Sequence, residues 1–215
     1  MFVFPIRLTK FTGDYSDEFN NHITTKTPLD VIFYGSNNVI NVSTDNKNII
    51  LSVTMYNNGT LILGSNVACN MFNNLKIKIA DDALVKIGNN TAFINGCKIL
   101  ADKQSVITIG NDCLFSTNTL ISCSTAISAA NGTSNTVFVA DHIWSGWGTT
   151  LIQGCNLGCC CIVGAKSLIE NKFPPNSLIA GDPAKIIRSN VTWHRNNMEY
   201  DINAVPAEYR TISNT

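Results

Sequence analysis

The chain has 215 residues with 15 basic and 15 acidic side chains, so its formal net charge is zero, and only 14% of it is charged where about 25% is usual. That length fits one domain with elaboration. The charge excludes broad electrostatic capture of nucleic acid or an acidic membrane.

Residues 1–28 show no repeat and are expected to form an N-terminal capping segment. Their opening, Met1 to Ile6, is too short for the apolar region of a signal peptide, and no apolar run reaches the roughly 18 residues of a membrane span. With eight cysteines and no leader, the expectation is a soluble, reduced, cytoplasmic protein. From 31 to 56, Val31-Ile32-Phe33, Val39-Ile40-Asn41-Val42 and Ile49-Ile50-Leu51-Ser52-Val53 read as irregular strands. Between such runs lies Asn, about one residue in eight and often paired, as at Asn57-Asn58 and Asn89-Asn90. Asn tolerates left-handed backbone and closes tight turns.

A step of six residues then takes over. Leu63, Cys69 and Leu75 are followed by Ile87, Phe93 and Ile99, then Ile109, Phe115 and Ile121, and finally Val139, Ser145, Leu151, Leu157, Val163 and Ile169. A small residue follows the first of each set: Gly64, Gly88, Gly110 and Ala140. Helices repeat at 3.6 residues and strands at 2, so a period of six needs a coil of three short flat strands, about 18 residues per turn. The fold class is therefore all-β, a single-stranded parallel β-helix with triangular coils. It occupies 29–188 and is interrupted by an extruded loop at 122–137 that is rich in Ser, Thr, Ala, Asn and Gly. The segment 189–215 is a C-terminal tail in which Pro206 to Arg210 reads as one helical turn.

Two positions per hexapeptide point inward, the large aliphatic one and the residue four later, which must be small because three walls converge. Cys97, Cys113, Cys155 and Cys161 occupy the second position and Cys69 the first, so these five read as packing residues. The adjacent Cys159-Cys160-Cys161 lack zinc spacing, since neighbours in a strand point to opposite faces. No metal is expected.

The run Asp141-His142-Ile143-Trp144-Ser145-Gly146, the run Ile162 to Ile169 and the run Phe173 to Ile187, which contains Ala180-Gly181-Asp182-Pro183-Ala184-Lys185, resemble the hexapeptide-repeat acyltransferase family. Within it they resemble the sugar and capsule O-acetyltransferases, and the tail Val191-Thr192-Trp193-His194-Arg195 is similar to the polysialic acid enzymes in particular. The resemblance implies a left-handed coil, a homotrimer, acetyl-CoA as acetyl donor, and a sugar or polysaccharide hydroxyl as acceptor. It places the donor against Gly146, Trp147, Gly164, Ala165, Lys166, Ala180, Pro183, Lys185 and Arg188. Residues 163–195 carry five Lys and Arg against two acids, a net +3 in a neutral chain, which suits the phosphates of coenzyme A.

Relatives place a general-base His after the strand that here reads Phe115 to Ile121, within a pattern like Arg-x-x-Asp-x-His. Here Ser122-Cys123-Ser124-Thr125-Ala126-Ile127 has neither the Asp nor the His. The remaining candidates are His142, beside the family's Trp144, then His194 and His22. His142 is expected to be the relocated base and Trp144 its partner at the site, with a turn role for His142 and a trimer contact for Trp144 and Trp147 as the structural alternatives. The competing functional reading is a catalytically degenerate coil that keeps the groove for binding or assembly.

Overall fold

In the computed structural model the residues described are 5–43, 46, 49, 51–69, 75–123 and 135–195. Their regular structure is all strand, wound into a parallel solenoid with three walls. The first wall stacks Leu51–Met55, Leu75–Ile79, Lys98–Ala101, Leu120–Cys123, Thr150–Leu151 and Leu168–Ile169 in register. The second stacks Val39–Val42, Thr60–Leu63, Leu84–Ile87, Val106–Ile109, Thr136–Val139, Asn156–Leu157 and Lys172–Phe173. The third runs from Ala68–Cys69 through Ala92–Phe93, Leu114–Phe115, Trp144–Ser145 and Ile162–Val163 to Ser177–Gly181. An antiparallel strand, Ala184–Ser189, closes that end as a hairpin.

Of the expected segment 1–28, residues 5–28 are described, and they are not set apart from the coil. Strand His22–Phe33 crosses the 28/29 boundary, pairing first with Val39–Asn41 on the second wall and then with Leu51–Met55 on the first. Its alternating side chains bury Ile23, Leu29, Val31 and Phe33 in the common core, a period of two that a search for a period of six passes over. Strand Ile6–Ser16 lies antiparallel on it and covers its edge. At the interruption, Ser122, Cys123, Thr136 and Val137 are strand residues, because outward positions of the coil accept Ser and Thr. Residues 124–134 of that loop and the expected helical turn Pro206 to Arg210 lie outside the described residues.

The inward positions follow the six-residue step. Leu63, Ile87, Phe93, Ile99, Ile109, Phe115, Ile121, Val139 and Leu157 are all at most 2% exposed, and Phe93 stacks on Phe115 at 4.9 Å between ring centroids. The five packing cysteines are buried. Burial pushes the thiols of Cys97 and Cys161 up to about 11, and those of Cys113 and Cys155 up to about 12. Thiolate is the reactive form, so a thiol reagent should label Cys159, the half-exposed one, in the native chain and all eight only after denaturation. Rapid native labelling of three or more would contradict this packing.

Asparagine builds the corners. Between the second and third walls Asn66, Asn90, Asp112, His142, Cys160 and Asn176 all have φ between 53° and 62°, the left-handed region that Asn and Asp enter at least cost. One position earlier in this corner, each side-chain oxygen accepts the backbone N–H of the coil before it: Asn89 from Ser65, Asn111 from Asn89, and Asp141 from Asn111, at 2.8, 2.8 and 2.6 Å. A similar amide ladder, Asn20 to Asn37 to Asn58 to Asp82, runs up the corner between the first and second walls.

Candidate active site

At the corner between the third and first walls, coils approach so closely that small residues are required. A Cβ on Gly146 would lie 2.7 Å from the backbone nitrogen of Ala165, and one on Gly164 would lie 2.9 Å from the Cβ of Ala180. The amides of Gly146 and Gly164 donate to Val163 and Ile179 carbonyls, both at 2.8 Å. They are committed to the coil ladder, so neither is a spare donor for a thioester carbonyl. Beside them Ala165, Lys166 and Trp147 are exposed, with the Lys166 ammonium 4.9 Å from the Trp147 ring centroid. The hairpin turn is tied to the same corner by the Gly181 N–H, which donates to Ser167 Oγ at 3.1 Å. It carries Pro183 and places Lys185 opposite Ala180. Arg188 sits further along the hairpin, opposite Leu178. The fold thus gathers Gly146, Trp147, Gly164, Ala165, Lys166, Ala180, Pro183 and Lys185 at one corner and leaves Arg188 on the adjoining wall.

Trp144 projects outward from the third wall between Leu114 and Ile162 and is 40% exposed. His142, two residues earlier, sits at the other corner and is 2% exposed. Its Nδ1 lies 2.7 Å from Asp112 Oδ2 and its Nε2 lies 2.8 Å from the Trp193 carbonyl. The indole of Trp193 stacks on the imidazole at 4.5 Å, and Trp193 Nε1 donates back to the His142 carbonyl at 2.9 Å. Both ring nitrogens are engaged within the chain, so His142 as placed has none to offer an acceptor hydroxyl. The expectation of a relocated base at this position meets a buried clasp instead, because the left-handed corner turns the side chain along the solenoid rather than out over the third wall.

The clasp fastens a strap, residues 191–195, that descends the corner between second and third walls. Val191 exchanges hydrogen bonds with Asn176, Trp193 lies on His142, and Arg195 donates to Asp112 at 2.9 Å and to the carbonyls of Asn90 and Cys113. Burial alone would push the Asp112 carboxyl up. The hydrogen bonds from His142 and Arg195 overcome this and hold it below the ordinary range. Trp193 also approaches Trp144, 6.3 Å between centroids, so the strap borders the third wall. Reading the sequence missed Asp112 altogether, and its signal is the place it holds in the series of left-handed corner residues.

Of the remaining histidines, His22 is bonded to Ser16 Oγ and Asn20 Oδ1, far from this corner in the chain's first coil, and His194 is half-buried in the strap. A groove of about 1000 Å³ lies elsewhere, on the second wall, lined by Ile62, Lys86, Phe138 and Asp141. It shares no residue with the corner at Gly146, and the chemistry expected from the sequence is at that corner rather than in this groove. Among the described residues no three His, Cys, Asp or Glu side chains converge as a metal site.

No family model matches the chain. Its fold is that of the left-handed β-helix acetyltransferases. The crystal structure of NeuO, a polysialic acid-specific acetyltransferase, superimposes with a TM-score of 0.73 at 21% identity, covering 84% of each chain. The polysialic acid O-acetyltransferase OatWY superimposes with a TM-score of 0.69 at 25% identity, covering 80% of this chain and 84% of that one. In sequence, the polysialic acid O-acetyltransferase of Escherichia coli O1:K1 is 25% identical over 118 residues, 52% of this chain and 38% of that protein. The chain spans 26% to 63% of the length of the curated relatives it matches. In its repeat and its coil the chain is similar to the hexapeptide-repeat acyltransferases.

Proposed function

We propose that the chain is an O-acetyltransferase that moves an acetyl group from acetyl-CoA to a hydroxyl of a sugar or polysaccharide. The observation that carries this reading is the corner where Gly146, Gly164 and Ala180 stack beside Lys166 and Lys185, a smooth wall for pantetheine with cations at its end for phosphates. In the reaction the acceptor oxygen bonds to the thioester carbonyl carbon, the carbon–sulfur bond breaks, coenzyme A leaves as the thiolate, and the hydroxyl proton passes to a base. Trp144 would border the reacting acetyl group, and a homotrimer would bring a second chain against the corner. All eight cysteines are thiols rather than disulfides, in keeping with a reducing, cytoplasmic setting.

One observation favours a second reading, a catalytically degenerate coil that retains only the donor corner. The interval 122–137 contains no His, and His142 is locked in the clasp. Losing a general base typically costs about 10²–10⁴ in rate. Two measurements separate the readings. Coenzyme A should raise the melting temperature under both, whereas release of free thiol from acetyl-CoA in the presence of a sugar panel is expected only of the enzyme. No stabilisation by coenzyme A would remove both.

Lys185→Ala should weaken coenzyme A while leaving acetyl-pantetheine nearly unchanged, because only the former carries nucleotide phosphates. The loss should be about 1.5–3 kcal/mol if the contact is a charged hydrogen bond. Equal losses for the two ligands in a titration would place Lys185 away from the phosphates.

A further inference from the structure

The turn between strands Ile6–Ser16 and His22–Phe33 brings together three side chains at the opposite end of the coil from the donor corner. Ser16 and His22 stand opposite each other as the last pair of that antiparallel ladder. Ser16 Oγ lies 2.9 Å from His22 Nδ1, and His22 Nε2 lies 2.8 Å from Asn20 Oδ1. A hydroxyl, an imidazole and an amide oxygen in that order have the geometry of a nucleophile, a base and the group that orients the base. All three residues are exposed, so the hydroxyl is open to a reactant from solvent.

The amide ladder at the corner between the first and second walls gives this trio a direction. Asp82 Oδ1 accepts from Asn58 Nδ2 at 2.7 Å, Asn58 Oδ1 from Asn37 Nδ2 at 3.1 Å, and Asn37 Oδ1 from Asn20 Nδ2 at 3.0 Å. A carboxylate oxygen only accepts, so the ladder runs one way and each amide presents its oxygen to the next donor. At its far end Asn20 Oδ1 is left as the acceptor for His22. His22 Nε2 therefore carries a proton, and in the neutral ring Nδ1 is the nitrogen that accepts from the Ser16 hydroxyl. The turn itself is held firmly. Asp17 Oδ1 accepts the N–H groups of Phe19 and Asn21, both at 3.0 Å, and the fully buried Asn21 bonds to the Gly35 carbonyl and the Asn38 N–H.

We propose that Ser16, with His22 as its general base and Asn20 as the positioning residue, is a nucleophile that takes an acyl group from a small, uncharged activated ester. Ser16 Oγ bonds to the ester carbonyl carbon while its proton passes to His22 Nδ1. The bond from that carbon to the leaving oxygen then breaks, the leaving alcohol takes the proton from His22, and acyl-Ser16 remains. Asp14, Asp17 and Glu18 flank Ser16 in the chain, and this negative setting disfavours a polyanionic donor such as a coenzyme A thioester. The site stands apart from the acetyl-transfer reading and does not depend on it.

The test uses the full chain and p-nitrophenyl acetate, read as release of p-nitrophenolate and by peptide fragmentation that locates the acetyl group. Wild type should acquire an acetyl group on Ser16, and Ser16→Ala should lose it. His22→Ala should acylate Ser16 about 10²-fold or more slowly, the usual cost of a missing general base, with unchanged circular dichroism because the ring is exposed. Asn20→Leu should lose most of the same acceleration, whereas Asn20→Asp, which still offers Nε2 an acceptor, should restore it. A residue that only shaped the turn would not show that rescue. Ser36→Ala, at a serine in the neighbouring turn, should leave the rate unaltered. No acetyl group on Ser16 in the wild type, or the same Ser16 rate in His22→Ala, would overturn the proposal. Acylation of Ser16 by acetyl-CoA as fast as by the neutral ester would overturn the assigned class of donor.

Discussion

Replacing His142 by Ala should lower stability by about 2–4 kcal/mol, the cost of two lost hydrogen bonds together with a stacked, buried ring, and should detach the strap at residues 191–195. The substitution leaves Asp112 facing Arg195 alone, strands the Trp193 carbonyl and removes the ring on which Trp193 stacks. Thermal unfolding measures the first effect. Trp193 fluorescence, read in a Trp144→Phe/Trp147→Phe background, measures the second. Trp193→Ala separates the clasp from a base: if transfer survives in that variant and fails in His142→Asn, the imidazole itself takes the proton, whereas parallel losses make both residues positioning groups. The clasp also has an acid limit. Asp112 titrates below its ordinary value in the folded chain, so its contribution is complete above about pH 3.9, the unfolded value. It is lost as pH falls through the lower folded value. The stability gap between wild type and Asp112→Asn should therefore be constant near neutrality and close in acid. Parallel curves through acid would show that the Asp112 charge contributes nothing to the clasp.

Phe115→Ala should cost about 3–5 kcal/mol, the range for removing a large aromatic side chain from a core. Phe115 is fully buried and stacks on Phe93 across one coil step, in a coil whose three walls leave no room for rearrangement. Leu114→Ala, one residue away but facing outward and half-buried, should cost about 1 kcal/mol or less. Denaturant titration of the pair reads the difference. Similar losses at both positions would mean that the inward register is shifted by one. Because each coil contacts mainly its neighbours, the lesion weakens two interfaces rather than the whole array.

The register tested by that pair was legible from the residues. A step of six with a small residue after each large one admits a triangular coil and little else, and Leu63, Ile87, Ile109 and Val139 fall in one stacked column of the second wall. The inward cysteines followed from the same geometry, since only a small side chain fits where three walls meet. Gly146, Gly164 and Ala180 were also within reach of reading, because close stacking of coils and a smooth binding wall demand the same small residues.

His142 was different. Adjacent to Trp144 in sequence, it was expected at the same site, yet a left-handed corner residue at φ 58° does not share the face of the strand that follows it. Its partners are Asp112, 30 residues away, and Trp193, 51 residues away, and Arg195 reaches Asp112 across 83 positions. No periodicity encodes such pairs. The repeat determines which residues face in, which face out and which turn, because those are local consequences of a six-residue step. Only winding the chain decides which corner the tail descends and which residues stand opposite each other, because coils of 18, 22, 24 or 30 residues bring together positions whose spacing in the sequence is irregular.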